Sequence, residues 1–341
     1  MRSRLQGLSR AAAVALVACL AASAPVGAEG AARTTWGDPD LRGIWDFRTI
    51  TPLERPSSLA GKEFLSDEEA AVFEEQTLER LDFDRRDGGS RFDVERAYNN
   101  FWWDWGDKLT DDKRTSLIVD PPDGRIPAMV PEAKDADRAR RRSGGGPVRE
   151  RVLIGSKAHG PEDLGLSERC LLGFNSGPPM LPSAYNNNLQ LFQSPGYVVL
   201  LNEMIHAARV IPLDGRSHLD GRIRQWMGDS RGRWEGDTLV VDSTNFTDKT
   251  PSFSGVIGAM GSGETLHLIE RFTRVSADTL LYEFTIDDPH TFTASWTAAI
   301  PMKKTDGPLF EYACHEGNYG MANLLSGARA QEEAAAQSKK P

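Results

Sequence analysis

A chain of 341 residues, 39% hydrophobic and 26% charged, is long enough for a sizeable core and has the balance of an ordinary globular protein. Its formal net charge of −9 argues against nucleic acid as the main partner, because a phosphate-binding surface needs a basic excess. Past the N-terminus no apolar run approaches the length of a membrane span, so no span is expected.

Arg2, Arg4 and Arg10 precede an apolar run over residues 11–22, and Val26-Gly27-Ala28 supplies small residues for cleavage. This order predicts a signal peptide over residues 1–28 and a periplasmic or secreted protein. An alternative is a lipid anchor: Leu16-Val17-Ala18-Cys19 resembles a lipobox, although Cys19 lies inside the apolar run and Leu20 is an unusual next residue. With the leader removed, Cys170 and Cys314 are the remaining cysteines. In an oxidising compartment two cysteines are expected to form one disulfide.

Alternation over residues 40–47 predicts a first strand, followed by a Pro-rich connector over residues 51–56. Ser66-Asp67-Glu68-Glu69 is a capping box ahead of Ala70, Phe73, Thr77 and Leu81 at helical spacing. Residues 98–106 then carry Trp102, Trp103 and Trp105, either a packing pad between helix and sheet or a wall on which a ligand stacks. The basic run at residues 138–142, followed by Ser143-Gly144-Gly145-Gly146-Pro147, reads as a solvated flexible loop.

From residue 115 onward strand-like runs recur between turn residues. Strands are expected at 189–193, 197–201, 207–212, 238–242, 266–275, 279–287, 292–300 and 309–314. Successive hairpins at this spacing imply a mainly β fold, an antiparallel barrel or sandwich, with an inserted N-terminal helical segment. Gly43-Ile44-Trp45 resembles the Gly-x-Trp that opens the first strand of lipocalins, which favours a calycin-like barrel. The organisation read from this is a leader (1–28), a strand with a helical and aromatic segment (29–114), an antiparallel β domain (115–327) and a disordered tail (328–341).

Phosphate loops, dinucleotide fingerprints, His-Glu-x-x-His and Cys-x-x-Cys motifs do not occur, so neither a cofactor nor a metal is expected. Gly228-Asp229-Ser230-Arg231-Gly232 matches Gly-x-Ser-x-Gly, but a nucleophile elbow needs a strand before the serine and a helix after it. Hairpin sequence follows instead. In Asn202-Glu203-Met204-Ile205-His206 the acid and imidazole fall on opposite faces of a regular strand and converge only across a bend. The other histidines are His159, His218, His267, His290 and His315, and each taken singly has an ordinary structural explanation. The densest polar grouping is Glu270 and Arg271, Asp287, Asp288 and His290, then His315 and Glu316; an imidazole beside a carboxylate there supplies a general acid and base.

The phrases Gly43-Ile44-Trp45-Asp46-Phe47, Thr51-Pro52-Leu53-Glu54-Arg55-Pro56, Tyr185-Asn186-Asn187-Asn188, Asn202-Glu203-Met204-Ile205-His206 and Gly228-Asp229-Ser230-Arg231-Gly232 resemble a large family of secreted and periplasmic bacterial proteins. So does Arg114-Thr115-Ser116-Leu117-Ile118-Val119-Asp120-Pro121-Pro122, and the likeness runs from about Asp38 to Arg329. The resemblance implies export and one shared fold more than a reaction. Its phrases include counterparts of Glu203, His206, Asn186, Arg231, Asp288, Cys314, His315 and Glu316.

The expectation drawn from the sequence is therefore an exported, cofactor-independent enzyme acting on a small organic substrate by acid–base chemistry, of lyase, isomerase or cyclase type. His206, His315, Glu203, Arg231 and Asp288 would be catalytic, with Asn186, Trp102, Trp103, Trp105 and Arg271 binding substrate and residues 255–263 gating the cavity. Two rivals stand beside it: a lipocalin-like binder of an apolar small molecule, and a hydrolase of glycosides or esters.

Overall fold

Alternating burial is what turns these runs into one sheet. The computed structural model describes residues 32–85, 89, 99–143, 158–250 and 263–338. The leader, the anchor at Cys19 and most of the 255–263 gate lie outside the described residues. In β9 (Thr279–Asp287) Leu280, Tyr282, Phe284 and Ile286 are buried while the intervening residues face outward, and β8 (His267–Arg274) buries Leu268, Glu270 and Phe272 in the same way.

The strands form two antiparallel meanders. One is β3 (Asn188–Ser194), β4 (Tyr197–Asn202) and β5 (Ala208–Pro212). The other is β6 (Asp229–Glu235), β7 (Thr238–Thr244), β8, β9 and β10 (Trp296–Thr305). The early strand β1 (Gly43–Asp46) lies between them, paired with β3 on one side and β10 on the other. The short β2 (Ile118–Asp120) pairs with the start of β10, giving a ten-stranded sheet ordered β5-β4-β3-β1-β10-β9-β8-β7-β6.

The sheet is mainly antiparallel β and not closed into a barrel: β5 and β6 are its ends, and no ladder joins them. It nevertheless curls far enough for its ends to touch through side chains. A Cβ on Gly232 of β6 would fall 2.5 Å from Leu213 Cδ2 and 2.9 Å from Ile211 Cγ2, so glycine is required where the ends meet. The concave face holds a continuous core of Trp45, Phe272, Tyr282, Phe284, Phe292, Trp296 and aliphatic neighbours. Neighbouring rings stack or meet edge to face, with Phe272–Tyr282 centroids 4.9 Å apart and Phe284–Trp296 centroids 5.7 Å apart. Gly43 has φ +146°, and Trp45 beyond it is buried and donates its indole N–H to the Leu41 carbonyl at 2.9 Å. That accounts physically for the Gly-x-Trp.

Helix α1 (Asp67–Arg80) starts as expected: Ser66 Oγ accepts the Glu69 N–H and the Glu69 carboxylate accepts the Ser66 N–H. It packs on a satellite core of Ile50, Leu65, Ala70 and Leu109, with Leu59, Phe73 and Leu81 alongside. Three expectations fail. The basic run is the end of a helix, α2 (Pro131–Ser143), not a loop. The stretch 309–314 is not a strand, because Asp306 to Ala313 run as irregular chain and turns follow. The tail expected to be disordered is helical up to Ser338, in α3 (Tyr319–Ser338).

The expected disulfide is formed, Cys170 to Cys314, with Cα atoms 5.8 Å apart. It is one of several ties on the C-terminal segment. Glu203 accepts the Phe310 N–H at 3.1 Å, Asn318 donates to the Glu168 carbonyl at 3.2 Å, and Arg329 donates to the carbonyls of Ala158 and His159.

Candidate functional site

Helix α1 rests on Ile50, Leu65 and Leu109, and space is left beside it. Phe73 and Thr77 of α1 line that space, with Leu81 just past the helix end. Opposite lie Ile50, Leu53 of the Pro-rich connector, Leu117 and Leu181. Between them is a cleft of about 1180 Å³ with a mostly apolar lining. Its rim is polar, with Glu68, Gln76 and Arg80.

A second cavity of about 950 Å³ adjoins it, and Thr49, Glu79, Leu81 and Trp105 line both. This lobe is polar. Arg48 bridges Asp46 and Asp104, and Lys303 pairs with Asp111. Burial works against the Arg48 charge, but the hydrogen bonds it donates to Asp46 and Asp104 outweigh it and hold the guanidinium protonated well above its ordinary range. Of the three tryptophans expected to bind substrate, Trp105 lines both lobes and Trp103 the polar one, whereas Trp102 is exposed and lines neither. Trp103 stacks on Trp105 at 5.3 Å and on Phe83 at 4.7 Å, and leans on Tyr185 at 6.3 Å.

A different cluster occupies the outer face of the second meander. His218 Nδ1 lies 3.0 Å from Asp229 and its Nε2 3.1 Å from Asp242; His267 Nε2 lies 3.1 Å from both oxygens of Asp242. His267 Nδ1 is 3.6 Å from Asp287, directly opposite in the β8–β9 register. The result is an alternating chain, Asp229–His218–Asp242–His267–Asp287, half-open to solvent. The Asp242 hydrogen bond raises the His267 pKa above its ordinary 6.5, and the His267 hydrogen bond lowers Asp242 below 3.8. Arg231 joins it by donating to Asp229 at 2.7 Å. Among the described residues no group of three or more His, Cys, Asp or Glu is placed to hold a metal ion.

The other expected residues do not gather into one cavity. The bend between β4 and β5 does exist: Ile205 and His206 both have positive φ, +57° and +42°. It leaves Glu203 buried, accepting from Asn188 Nδ2 at 2.8 Å and from the Phe310 N–H, while His206 is exposed. No hydrogen bond or ion pair joins Glu203, His206 and His315 among the described residues, and His315 is exposed on a turn rather than on a strand face. Asp288 is buried and closes a turn by accepting from Thr291 Oγ1 at 2.6 Å and the His290 N–H. Asn186 takes a left-handed φ of +54°, and its carbonyl accepts from Asn175. Arg271 faces outward to Glu235 at 2.9 Å. Ser230 sits within strand β6, buried and 2.8 Å from Ser243 Oγ, so the Gly-x-Ser-x-Gly is not an elbow.

Reading histidines one at a time concealed the alternating chain. Asp242 and His267 lie on neighbouring strands, two positions apart diagonally on one face, which alternation alone reveals only once the β7–β8 register is known. Comparison with family models finds no match to this chain, and a search of curated proteins finds no significant relative.

Proposed function

We propose that the protein is an exported binder of an apolar small molecule, held in the cleft between α1 and the loop segments that carry Leu53, Leu117 and Leu181. The observation that carries this reading is the 1180 Å³ cleft lined chiefly by Ile50, Leu53, Phe73, Leu81 and Leu117. A lipocalin holds its ligand inside the barrel; here that space is filled by the aromatic core and a buried ion pair, so the cleft outside the sheet takes the role. The Cys170–Cys314 disulfide supports export, since such bonds persist in oxidising compartments.

The test is titration with the neutral fluorescent probe N-phenyl-1-naphthylamine. Val72 lines the cleft yet is half exposed, so Val72→Asp places a carboxylate at the ligand without opening the core. Saturable binding with a single site is expected, weakened about tenfold or more by V72D, or ~1.4 kcal/mol. Unchanged binding in that variant, or no saturable binding in the parent, would overturn the proposal.

The acid–base enzyme is the second reading, and the alternating imidazole–carboxylate chain now favours it in place of Glu203, His206 and His315. With its pKa raised, His267 is suited to donate a proton and Asp242 to hold the ring in place. Of the hydrolase reading, the ester form loses its nucleophile, since Ser230 is buried in a strand.

A further inference from the structure

The connection between β5 and β6, residues 213–228, links the two ends of the open sheet. Among the described residues its stretch 214–225 is exposed throughout except at His218. Apolar burial does not hold it down, since Leu219 is 43% and Ile223 51% exposed. What inserts is one imidazole, with Nδ1 3.0 Å from Asp229 of β6 and Nε2 3.1 Å from Asp242 of β7. Polar bonds flank it: Arg231 donates to the Ser217 carbonyl at 3.0 Å, Asp229 accepts the Leu219 N–H at 2.9 Å, and Asn245 donates to the Leu219 carbonyl at 3.0 Å.

Both ring nitrogens of His218 face carboxylate oxygens, and an imidazole donates from both only as the imidazolium. Either neutral tautomer turns a lone pair toward a carboxylate. Neither acid is placed to supply the missing proton. Asp229 already accepts from Arg231 and the Leu219 N–H, and the His267 hydrogen bond holds Asp242 below its ordinary range. The surrounding charges lead to the same state. Facing His218 are Asp229 and Arg231 from β6 and Asp242 from β7, with His267 of β8 and Asp287 of β9 beyond. Charged residues of the connection itself are turned to one another, Arg216 to Asp214 and Arg222 to Asp220, while Arg224 donates to the Phe246 and Glu264 carbonyls. Three carboxylates therefore meet Arg231 and two rings, a set that is neutral only when both rings are charged. We infer that His218 is a pH latch: as imidazolium it pins the 213–228 connection to β6 and β7, and loss of its proton frees that connection on the alkaline side. Leu213, the first residue of the connection, also packs at the seam against Gly232, so release would loosen the junction of the sheet ends from one side.

The latch is independent of what the cleft holds, and its test needs no ligand. Amide hydrogen exchange of the full mature chain is followed at about pH 5.5 and about pH 8.5, which bracket the titration of an ordinary imidazole. Each rate is corrected for the intrinsic exchange rate at that pH. The amides to follow are those of Leu219, bonded to Asp229, and Gln225, bonded to the Asn245 carbonyl. Loss of one charge-assisted hydrogen bond should lower their protection about tenfold between the two conditions. His218→Gln donates from one nitrogen at any pH, so its connection should be loosened equally at both. Nitrogen NMR of the parent with ring-labelled histidine needs no variant: both His218 nitrogens should carry protons at the lower pH, and the proton should leave over the range in which protection falls. Equal protection at the two pH values in the parent, the same drop in His218→Gln, or a neutral His218 ring at the lower pH would each overturn the latch.

Discussion

Arg209→Met strands a carboxylate where water cannot reach it. Glu270 is 0% exposed on the concave face of β8, and Arg209 arrives from β5 across the interior with its side chain 4% exposed. The guanidinium grips both carboxylate oxygens, at 2.6 and 2.8 Å, and Tyr282 donates its hydroxyl proton to Glu270 at 2.8 Å while accepting the Met180 N–H at 3.1 Å. Burial and the Glu270 charge hold the Tyr282 hydroxyl protonated well above its ordinary range, so it is always available as a donor. Burial on its own would discharge Arg209, yet the Glu270 charge and hydrogen bonds hold it protonated. Removing one partner of such a pair costs ~3–5 kcal/mol because the other charge remains buried. Against a total stability of ~5–15 kcal/mol, that is a large fraction. Arg209→Met with Glu270→Leu removes both charges and leaves only the Tyr282 proton without its acceptor, a loss of ~1–3 kcal/mol. Guanidinium unfolding, followed by tryptophan fluorescence at pH 7, should rank the double variant at least ~1 kcal/mol above the single one with the same m-value. A single variant losing less than ~1 kcal/mol, or a double variant no better than the single, would refute the reasoning.

Two further outcomes follow from other parts of the molecule. Replacing Cys170 and Cys314 with serine opens a link between positions 144 residues apart, which the chain-entropy treatment values at ~5 kcal/mol as an upper figure. The thermal midpoint should fall, and limited proteolysis should attack the segment from Asp306 onward first; an unchanged midpoint and digestion pattern would contradict this tie. The Asp242–His267 pair gives a pH window. His267, with its folded pKa raised, contributes stability fully below about pH 6.5 that is lost as pH rises through the folded pKa. Asp242, lowered, contributes above about pH 3.8 and loses its share as pH falls through the folded pKa. Stability measured from pH 5 to 9 should therefore carry a declining component that His267→Gln removes; identical slopes in parent and variant would count against the pair.

Local signals in the sequence were decisive where the physics is local. Ser66 and Glu69 start α1 because a capping box satisfies orphan N–H groups within four residues, and β9 spans residues 279–287 because alternation there is unbroken. The disulfide followed from counting, since Cys170 and Cys314 are the two cysteines outside the N-terminal apolar run and have one pairing available. The stretch 309–314 misled for a related reason: its aromatic residues have strand character, but Phe310 is held instead by a hydrogen bond to Glu203, 107 residues earlier.

Everything about the sites was decided by long-range pairing. β1 is spatially between β3 and β10, although more than 140 residues separate it from the nearer partner in sequence. The connector that leaves β1 runs beneath α1, and there the cleft opens. The Asp229–His218–Asp242–His267–Asp287 chain exists only because β6 to β9 are aligned in one register. By itself the sequence determined most of the strands, the helix start and the inward or outward face of most strand residues, since each depends on periods of two or four residues. Only the tertiary structure decided which acids meet which bases and where the cavity lies, because those distances are set by ladder register and sheet curl, which no short window of residues contains.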